Sequence, residues 1–145
     1  MTDITREPEV IRLGKLEIRY LLSAEADASS LGSFELTVPP NANVPPAHRH
    51  ANNDEYIYVL DGVLRYTVDS VTRDLGPGDS MFTPRGGVHA FSNPHSITAR
   101  ALIVQTPDIG PQYFRDIGAI VNAGGPPDKE KLFGVMARYG LTPAG

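Results

Sequence analysis

The chain has 145 residues, enough for one domain of ordinary size with its own hydrophobic core. Hydrophobic residues make up 41% and charged residues 21%, a balance typical of a soluble globular protein. The net charge of -4 and the lack of any run dense in Lys and Arg argue against nucleic acid and anionic membranes as partners. Cysteine is absent, which excludes disulfides, thiolate metal ligands and a cysteine nucleophile.

No targeting or membrane segment is predicted. Residues 1–7 contain no apolar core of the kind that a signal peptide needs. No apolar run approaches the roughly 20 residues that span a bilayer. The sequence therefore predicts a cytoplasmic protein with no membrane partner.

Short apolar runs are separated by turn residues along most of the chain. The 14 glycines and 13 prolines are spread in pairs between these runs, a pattern typical of an all-β sandwich or barrel. In chain order, the predicted strands are Val10–Leu13, Leu16–Leu22, Ser33–Val38, Glu55–Leu60, Val63–Val68, Val71–Leu75, Ser80–Thr83, Val88–Phe91 and Ile97–Gln105. Ala24–Ser30 is predicted to be a loop.

The strand Glu55–Leu60 is apolar on both faces, which favours a central position in its sheet. Glu55 shares one face with Ile57 and Val59, while Tyr56 and Tyr58 point to the other side. The second face, with Leu60, offers apolar surface for a partner chain. We therefore expect a homodimer, to which the N-terminal segment adds an edge strand.

After Pro107 the hydrophobic period changes from that of strands to that of helices. Two amphipathic stripes follow, Tyr113, Phe114, Ile117, Ile120 and Val121, then Leu132, Val135, Met136 and Tyr139. Asp108 or Gly110 can begin the first helix, and Asp128 the second. We expect the second helix, residues 128–140, to pack near a pocket and exclude water, so that residues 127–145 can be deleted without loss of metal.

The segment around His48 and His50 carries the chemistry. On an extended strand, side chains two residues apart point to the same face, so both imidazoles enter one space. Glu55 follows after a short turn that can return its carboxylate to the two rings. Two nitrogens and one oxygen form a suitable ligand set for a divalent first-row metal.

Two motifs in this region resemble those of the cupin superfamily. His48-x-His50-x4-Glu55-x6-Gly62 is similar to its first motif, although Ala42 stands where the family has a leading glycine. Gly78-x5-Pro84-x-Gly86-x2-His89-x3-Asn93 is similar to its second motif. The resemblance implies an all-β cupin jelly-roll β-barrel over about residues 9–105, followed by a tail with two short C-terminal helices over about 108–145, all within one domain of residues 1–145.

The resemblance also implies that His48, His50, Glu55 and His89 bind the metal. We therefore expect one divalent transition metal, Fe, Mn, Ni, Co, Cu or Zn, because this donor set admits all of them. Open coordination positions beside an apolar lining suit a small-molecule ligand or substrate. The candidate lining residues are Phe34, Ile57, Phe91 and Ile103.

Several chemistries fit such a site, because a fold does not fix a function. The single domain, complete ligand set and helical tail resemble quercetin-dioxygenase-like cupins. We therefore predict a metal-dependent dioxygenase in which Glu55 also accepts a proton from an enol or phenol. The alternatives are a non-redox isomerase, cyclase or lyase, and a non-enzymatic small-molecule-binding protein.

Overall fold

A computed structural model describes residues 7–144 of the chain. These residues form two facing antiparallel sheets in jelly-roll order, with strand orders β1-β2-β3-β10-β5-β8 and β11-β4-β9-β6-β7. The strands are β1 (Val10–Leu13), β2 (Leu16–Leu22), β3 (Gly32–Val38), β4 (His48–His50), β5 (Asp54–Asp61), β6 (Leu64–Val68), β7 (Val71–Leu75), β8 (Ser80–Thr83), β9 (His89–Ser92), β10 (Ala99–Thr106) and β11 (Leu141–Pro143). The helices are α1 (Ala24–Asp27), α2 (Pro111–Val121) and α3 (Lys129–Arg138).

The predicted all-β fold with two C-terminal helices is confirmed, with three differences. Within residues 7–144 the two sheets share no strand ladder, so they form a sandwich rather than a closed barrel. The predicted loop at Ala24–Ser30 contains the single-turn helix α1, which the Ser23 side chain caps. The tail is not only helical, because its last residues form β11 on the edge of the five-stranded sheet.

Alternating side chains of the inner strands build the core between the sheets. Strand β5 lies between β10 and β8, and its Ile57 and Val59 are fully buried, as the alternation predicts. Polar residues interrupt the same inward rows at one end, where Glu55 on β5 and Gln105 on β10 are both buried. Since buried polar groups require partners, this end of the sandwich is where function is expected.

The two longer helices cover this same end. Helix α2 begins after Gly110 with Pro111 in its first turn, and α3 begins at Asp128, whose side chain accepts a hydrogen bond from the Lys131 backbone N–H. Val135 and Met136 of α3 are buried, each contributing about 1.5–3 kcal/mol before the entropy of ordering. Among residues 7–144, no helix has the length and apolarity needed to cross a membrane.

The outer face of the six-stranded sheet carries exposed aromatic side chains. Tyr56 lies directly opposite Phe82 on the neighbouring strand, and their exposed fractions are 41% and 54%. Tyr58, two residues along, is 39% exposed. An apolar patch of this kind on a sheet face is typical of a protein interface. The N-terminal segment that was expected to help in pairing falls mainly on residues 1–6, outside the described residues.

We predict that Phe82→Asp converts a homodimer into a monomer, because the carboxylate would lose its hydration at the centre of the patch. The measurement is the mass by light scattering at micromolar concentration. Phe133→Asp is the matched control, since Phe133 is an exposed aromatic on α3, away from this sheet. A monomeric mass for the unchanged protein would contradict the dimer itself.

Candidate metal centre

Neighbouring strands of one sheet bring the three motif histidines together. His48 and His50 are the two ends of β4, and His48 lies directly opposite His89 on β9. The ring centroids are 4.4 Å apart for His48 and His89, 5.0 Å for His50 and His89, and 5.1 Å for His48 and His50. A ligating nitrogen from each ring lies within 4.8 Å of the other two. The three histidines therefore form a cluster that can hold a metal ion.

The backbone and one side chain fix the orientation of each ring. The Nδ1 atom of His48 donates to the Pro46 carbonyl at 2.8 Å, and that of His89 to the Gly87 carbonyl at 3.3 Å. The Nδ1 atom of His50 donates to the Asn53 side-chain oxygen at 3.1 Å. With Nδ1 carrying the proton, the Nε2 atoms of His48 and His50 have free lone pairs for a metal, as is usual for metal-binding histidines, whereas His89 Nε2 faces the Glu55 carboxylate.

Glu55 lies beside this cluster, on the opposite sheet. Its Oε2 atom is 3.1 Å from His89 Nε2 and accepts a hydrogen bond from the Tyr66 hydroxyl at 3.1 Å. Its Oε1 atom accepts from Gln105 Nε2 at 2.8 Å. The group of mutually close ligating atoms contains the three histidines but not Glu55. Its role as a fourth ligand therefore stays a proposal.

Burial and the carboxylate set the charges in the site. Burial, with the nearby charge of His89, lowers the pKa of His48 to about 4, and burial lowers that of His50. Burial also opposes the charged forms of His89 and Glu55, but their hydrogen bond and mutual attraction outweigh it. The pKa of His89 is therefore raised and that of Glu55 is lowered. At neutral pH two imidazoles are free to bind a metal, and Glu55 is ionised.

A cavity opens over the histidines. Its mostly apolar wall with a few convergent polar groups is typical of sites for small organic molecules. Phe34, Phe91 and Ile103 line it as expected, but Ile57 does not, because its side chain is packed entirely within the core. Gln105 and Glu55 are the polar lining opposite the histidines, and most of the remaining wall is apolar.

Three polar residues of the site were not predicted from sequence, namely Asn53, Tyr66 and Gln105. Gln105 shares the inward face of β10 with Ala101 and Ile103, and a polar residue in such a row is a detectable signal of a functional site. Its Oε1 accepts a hydrogen bond from the Ile109 backbone N–H at 3.3 Å, which aims its amide group at Glu55. Asn53, in the turn before β5, gave no comparable signal.

We predict that Asn53→Leu lowers the affinity for a divalent metal about 10- to 100-fold, the usual cost of losing a partner of a ligating histidine. Asn53 also donates to the Pro107 carbonyl at 2.7 Å, so it holds His50 rigidly. The measurement is competition for zinc with a chelator of known affinity. Asn53→Asp keeps the acceptor for His50 and should retain more affinity than Asn53→Leu; equal losses would argue against this role.

Comparison with known protein families identifies the fold. The family described as Cupin domain matches residues 34–105, a stretch that contains His48, His50, Glu55 and His89. The polyketide cyclase RemF from Streptomyces resistomycificus is 30% identical, with a TM-score of 0.58 over 74% of each chain. The chain belongs to the cupin family. Both sequence motifs that resemble those of this family lie within the matched stretch.

Two further proteins are similar to this chain at lower identity. A predicted oxalate decarboxylase from Thermotoga maritima is 24% identical, with a TM-score of 0.61 over 74% of this chain and 98% of its own. Protein SchB from Streptomyces halstedii is 24% identical over 99 residues, 65% of this chain and 72% of SchB. The family is thus shown, whereas a quercetin-dioxygenase-like subtype is not confirmed by these relatives.

Proposed function

We propose that this cupin is a metal-dependent enzyme that closes a ring in a carbonyl-rich organic molecule without net oxidation. The observation that carries the proposal is the convergence of three histidine nitrogens and the ionised Glu55 on one apolar cavity. We propose His48, His50, His89 and Glu55 as the metal ligands. RemF supports the cyclase chemistry, because it is 30% identical and is described as a polyketide cyclase.

The chemistry begins with loss of a proton from a carbon between two carbonyl groups. A divalent metal, when bound by the imidazoles, supplies Lewis-acid polarisation of a carbonyl oxygen. Glu55 accepts the proton, and the hydrogen bonds from Gln105 and Tyr66 hold its carboxylate in a fixed orientation. The resulting enolate carbon attacks a further carbonyl of the same chain, and Glu55 returns its proton to the alkoxide that forms. Glu55 then takes the remaining hydrogen of the attacking carbon and gives it to the hydroxyl group, which leaves as water. The apolar wall excludes bulk water and keeps the reacting chain folded.

The dioxygenase predicted from sequence is the second candidate. Its support is the resemblance of the single domain, the complete ligand set and the helical tail to quercetin-dioxygenase-like cupins, together with a cavity that suits an enol. Both candidates begin with loss of a proton to Glu55, and they differ in whether oxygen is then consumed. A non-enzymatic binding protein is the remaining alternative.

Turnover under two conditions separates these candidates. Zinc-loaded protein is incubated without oxygen with an aryl triketone, and iron- or copper-loaded protein is incubated in air with a flavonol. Cyclisation of the triketone with loss of one water, detected by mass spectrometry, is the expected result. Oxygen consumption with the flavonol alone would instead support the dioxygenase. Binding without turnover in either experiment would support the non-enzymatic alternative.

We predict that Glu55→Gln slows triketone cyclisation by about 100-fold or more, the usual contribution of a general base. The amide cannot accept the substrate proton, but its size keeps the cavity intact. The rate is measured at saturating zinc, with bound zinc determined in the same samples. Glu35→Gln is the control, because Glu35 pairs with Arg100 outside the cavity. An unchanged rate in Glu55→Gln with full zinc occupancy would exclude Glu55 as the base.

A further inference from the structure

A second cavity adjoins the metal cavity beneath the two long helices. Its own walls include Val44, Ile117, Val121, Leu132 and Met136, from the loop before β4 and from α2 and α3. Among the described residues, no charged side chain lines it. We call this space the helix lobe.

Only a layer of side chains separates the helix lobe from the metal cavity. Leu13, Leu16, Pro45 and Tyr113 line both spaces. Side chains can change rotamer to join two cavities, whereas a sheet or helix backbone between them could not. A molecule longer than the metal cavity can therefore extend into the helix lobe.

Tyr113 differs from the other buried tyrosines that face the core. The Tyr20 hydroxyl donates to Asp108 at 2.6 Å, and the Tyr66 hydroxyl donates to Glu55. Tyr113 is only 7% exposed, and its ring packs against Phe114 and Tyr139 with centroids 5.1 Å and 5.2 Å away. Among residues 7–144 its hydroxyl has no protein hydrogen-bond partner, and the oxygen is not fully buried. A hydroxyl that is free of protein partners, on a residue that lines two cavities, can donate a hydrogen bond to a ligand in them.

We propose that the metal cavity and the helix lobe form one site for an elongated, uncharged polycarbonyl or polyphenol, and that the Tyr113 hydroxyl donates a hydrogen bond to an oxygen of that ligand. This inference rests on the proposed function, because it assigns the oxygen-rich end of the ligand to the metal centre. The apolar remainder of the ligand occupies the helix lobe. Small hydrophilic molecules, such as short dicarboxylates or sugar phosphates, would leave the helix lobe empty or bring a charge into it.

Two chelating probes of different length test the inference. Maltol presents a hydroxyketone to a metal and has no further ring. Galangin presents the same chelating group, with additional oxygens on a fused ring and an unsubstituted phenyl ring. Binding of each to the zinc-loaded full chain is measured by calorimetry without oxygen. We expect galangin to bind at least about tenfold more tightly than maltol, because it also buries apolar surface in the helix lobe.

Two substitutions then locate the longer probe. Leu132→Trp fills the helix lobe and should weaken galangin about tenfold without changing maltol. Tyr113→Phe should weaken galangin about three- to tenfold, the value of one hydrogen bond. It should leave thermal stability unchanged or higher, since no protein partner is lost. Phe133→Trp is the control for added bulk, because Phe133 is a neighbouring residue of α3 that is exposed.

Each outcome separates this inference from the proposed function. If both probes bind but neither substitution changes the affinity for galangin, the helix lobe is not part of the site. The proposed function of the metal centre is not contradicted by that result. If the affinity for galangin falls in Leu132→Trp but not in Tyr113→Phe, the proposed hydrogen bond from Tyr113 is wrong. A clear drop in the thermal stability of Tyr113→Phe would contradict it as well. Failure of both probes to bind the zinc-loaded protein would overturn the proposed function, and this inference with it.

Discussion

Replacing His50 with alanine should remove most of the bound divalent metal while leaving the protein folded. His50 is buried, and its ring supplies one of three converging nitrogens, so its loss should cost more than a change in a supporting residue. We therefore expect the metal affinity to fall by at least about 100-fold. The sandwich should persist, because its core is formed by apolar residues of both sheets. The backbone of His50 keeps its ladder with Leu141 whatever its side chain.

Elemental analysis after dialysis, together with circular dichroism, measures both parts of this prediction. His95→Ala is the matched control, because His95 is the remaining histidine and its ring lies 3.5 Å from Asp74, away from the cluster. It should retain the metal content of the unchanged protein. Full metal retention in His50→Ala would remove His50 from the site, and loss of metal in both variants would point to binding elsewhere.

Local sequence patterns were sufficient for most of the fold. The strands β1, β2 and β8 begin and end at the predicted residues, because period-two alternation and turn residues mark them clearly. The histidine spacing likewise predicted that His48 and His50 share a space. That His89 joins these two histidines was predicted from the family resemblance and not from any local signal, since β4 and β9 are distant in sequence.

The contacts of the site that were not predicted from the sequence depend on packing between elements that are distant along the chain. Gln105 meets Glu55 because β10 lies beside β5 in the sheet, a neighbour relation that no local pattern encodes. Asn53 supports His50 only because a short turn returns its side chain to the ring. The helix lobe is also a product of tertiary packing, and Tyr113 was interpreted from its helical period as a packing residue.

The last strand was missed for a related reason. Leu141–Pro143 contains a proline and only three residues, too little for a periodic signal. It nevertheless pairs with β4 through Leu141 and His50, and the Ala51 N–H donates to the Gly140 carbonyl at 2.8 Å. Gly140 has a positive φ of 80°, and a side chain there would clash with the Asn52 amide. The C-terminal tail thus packs specifically against β4, the strand that carries two of the three histidines.

Deleting residues 141–145 should therefore lower metal affinity about 10- to 100-fold, comparable to the loss of a supporting contact. This replaces the expectation that residues 127–145 are dispensable for metal binding. Strand β4 has a single paired position with β9, so without β11 it would become a poorly held edge. The side chain of Leu141, which lines the metal cavity, would also be lost and admit water.

The comparison that isolates β11 uses Val135→Ser in the full-length chain. This change weakens the packing of α3, because Val135 is buried, but it keeps the ladder between β11 and β4. We expect it to lower thermal stability and to preserve most of the zinc affinity measured by chelator competition. If the deletion binds zinc as tightly as the full chain, β4 holds His48 and His50 without β11. If Val135→Ser loses as much affinity as the deletion, the helix rather than the strand supports the site.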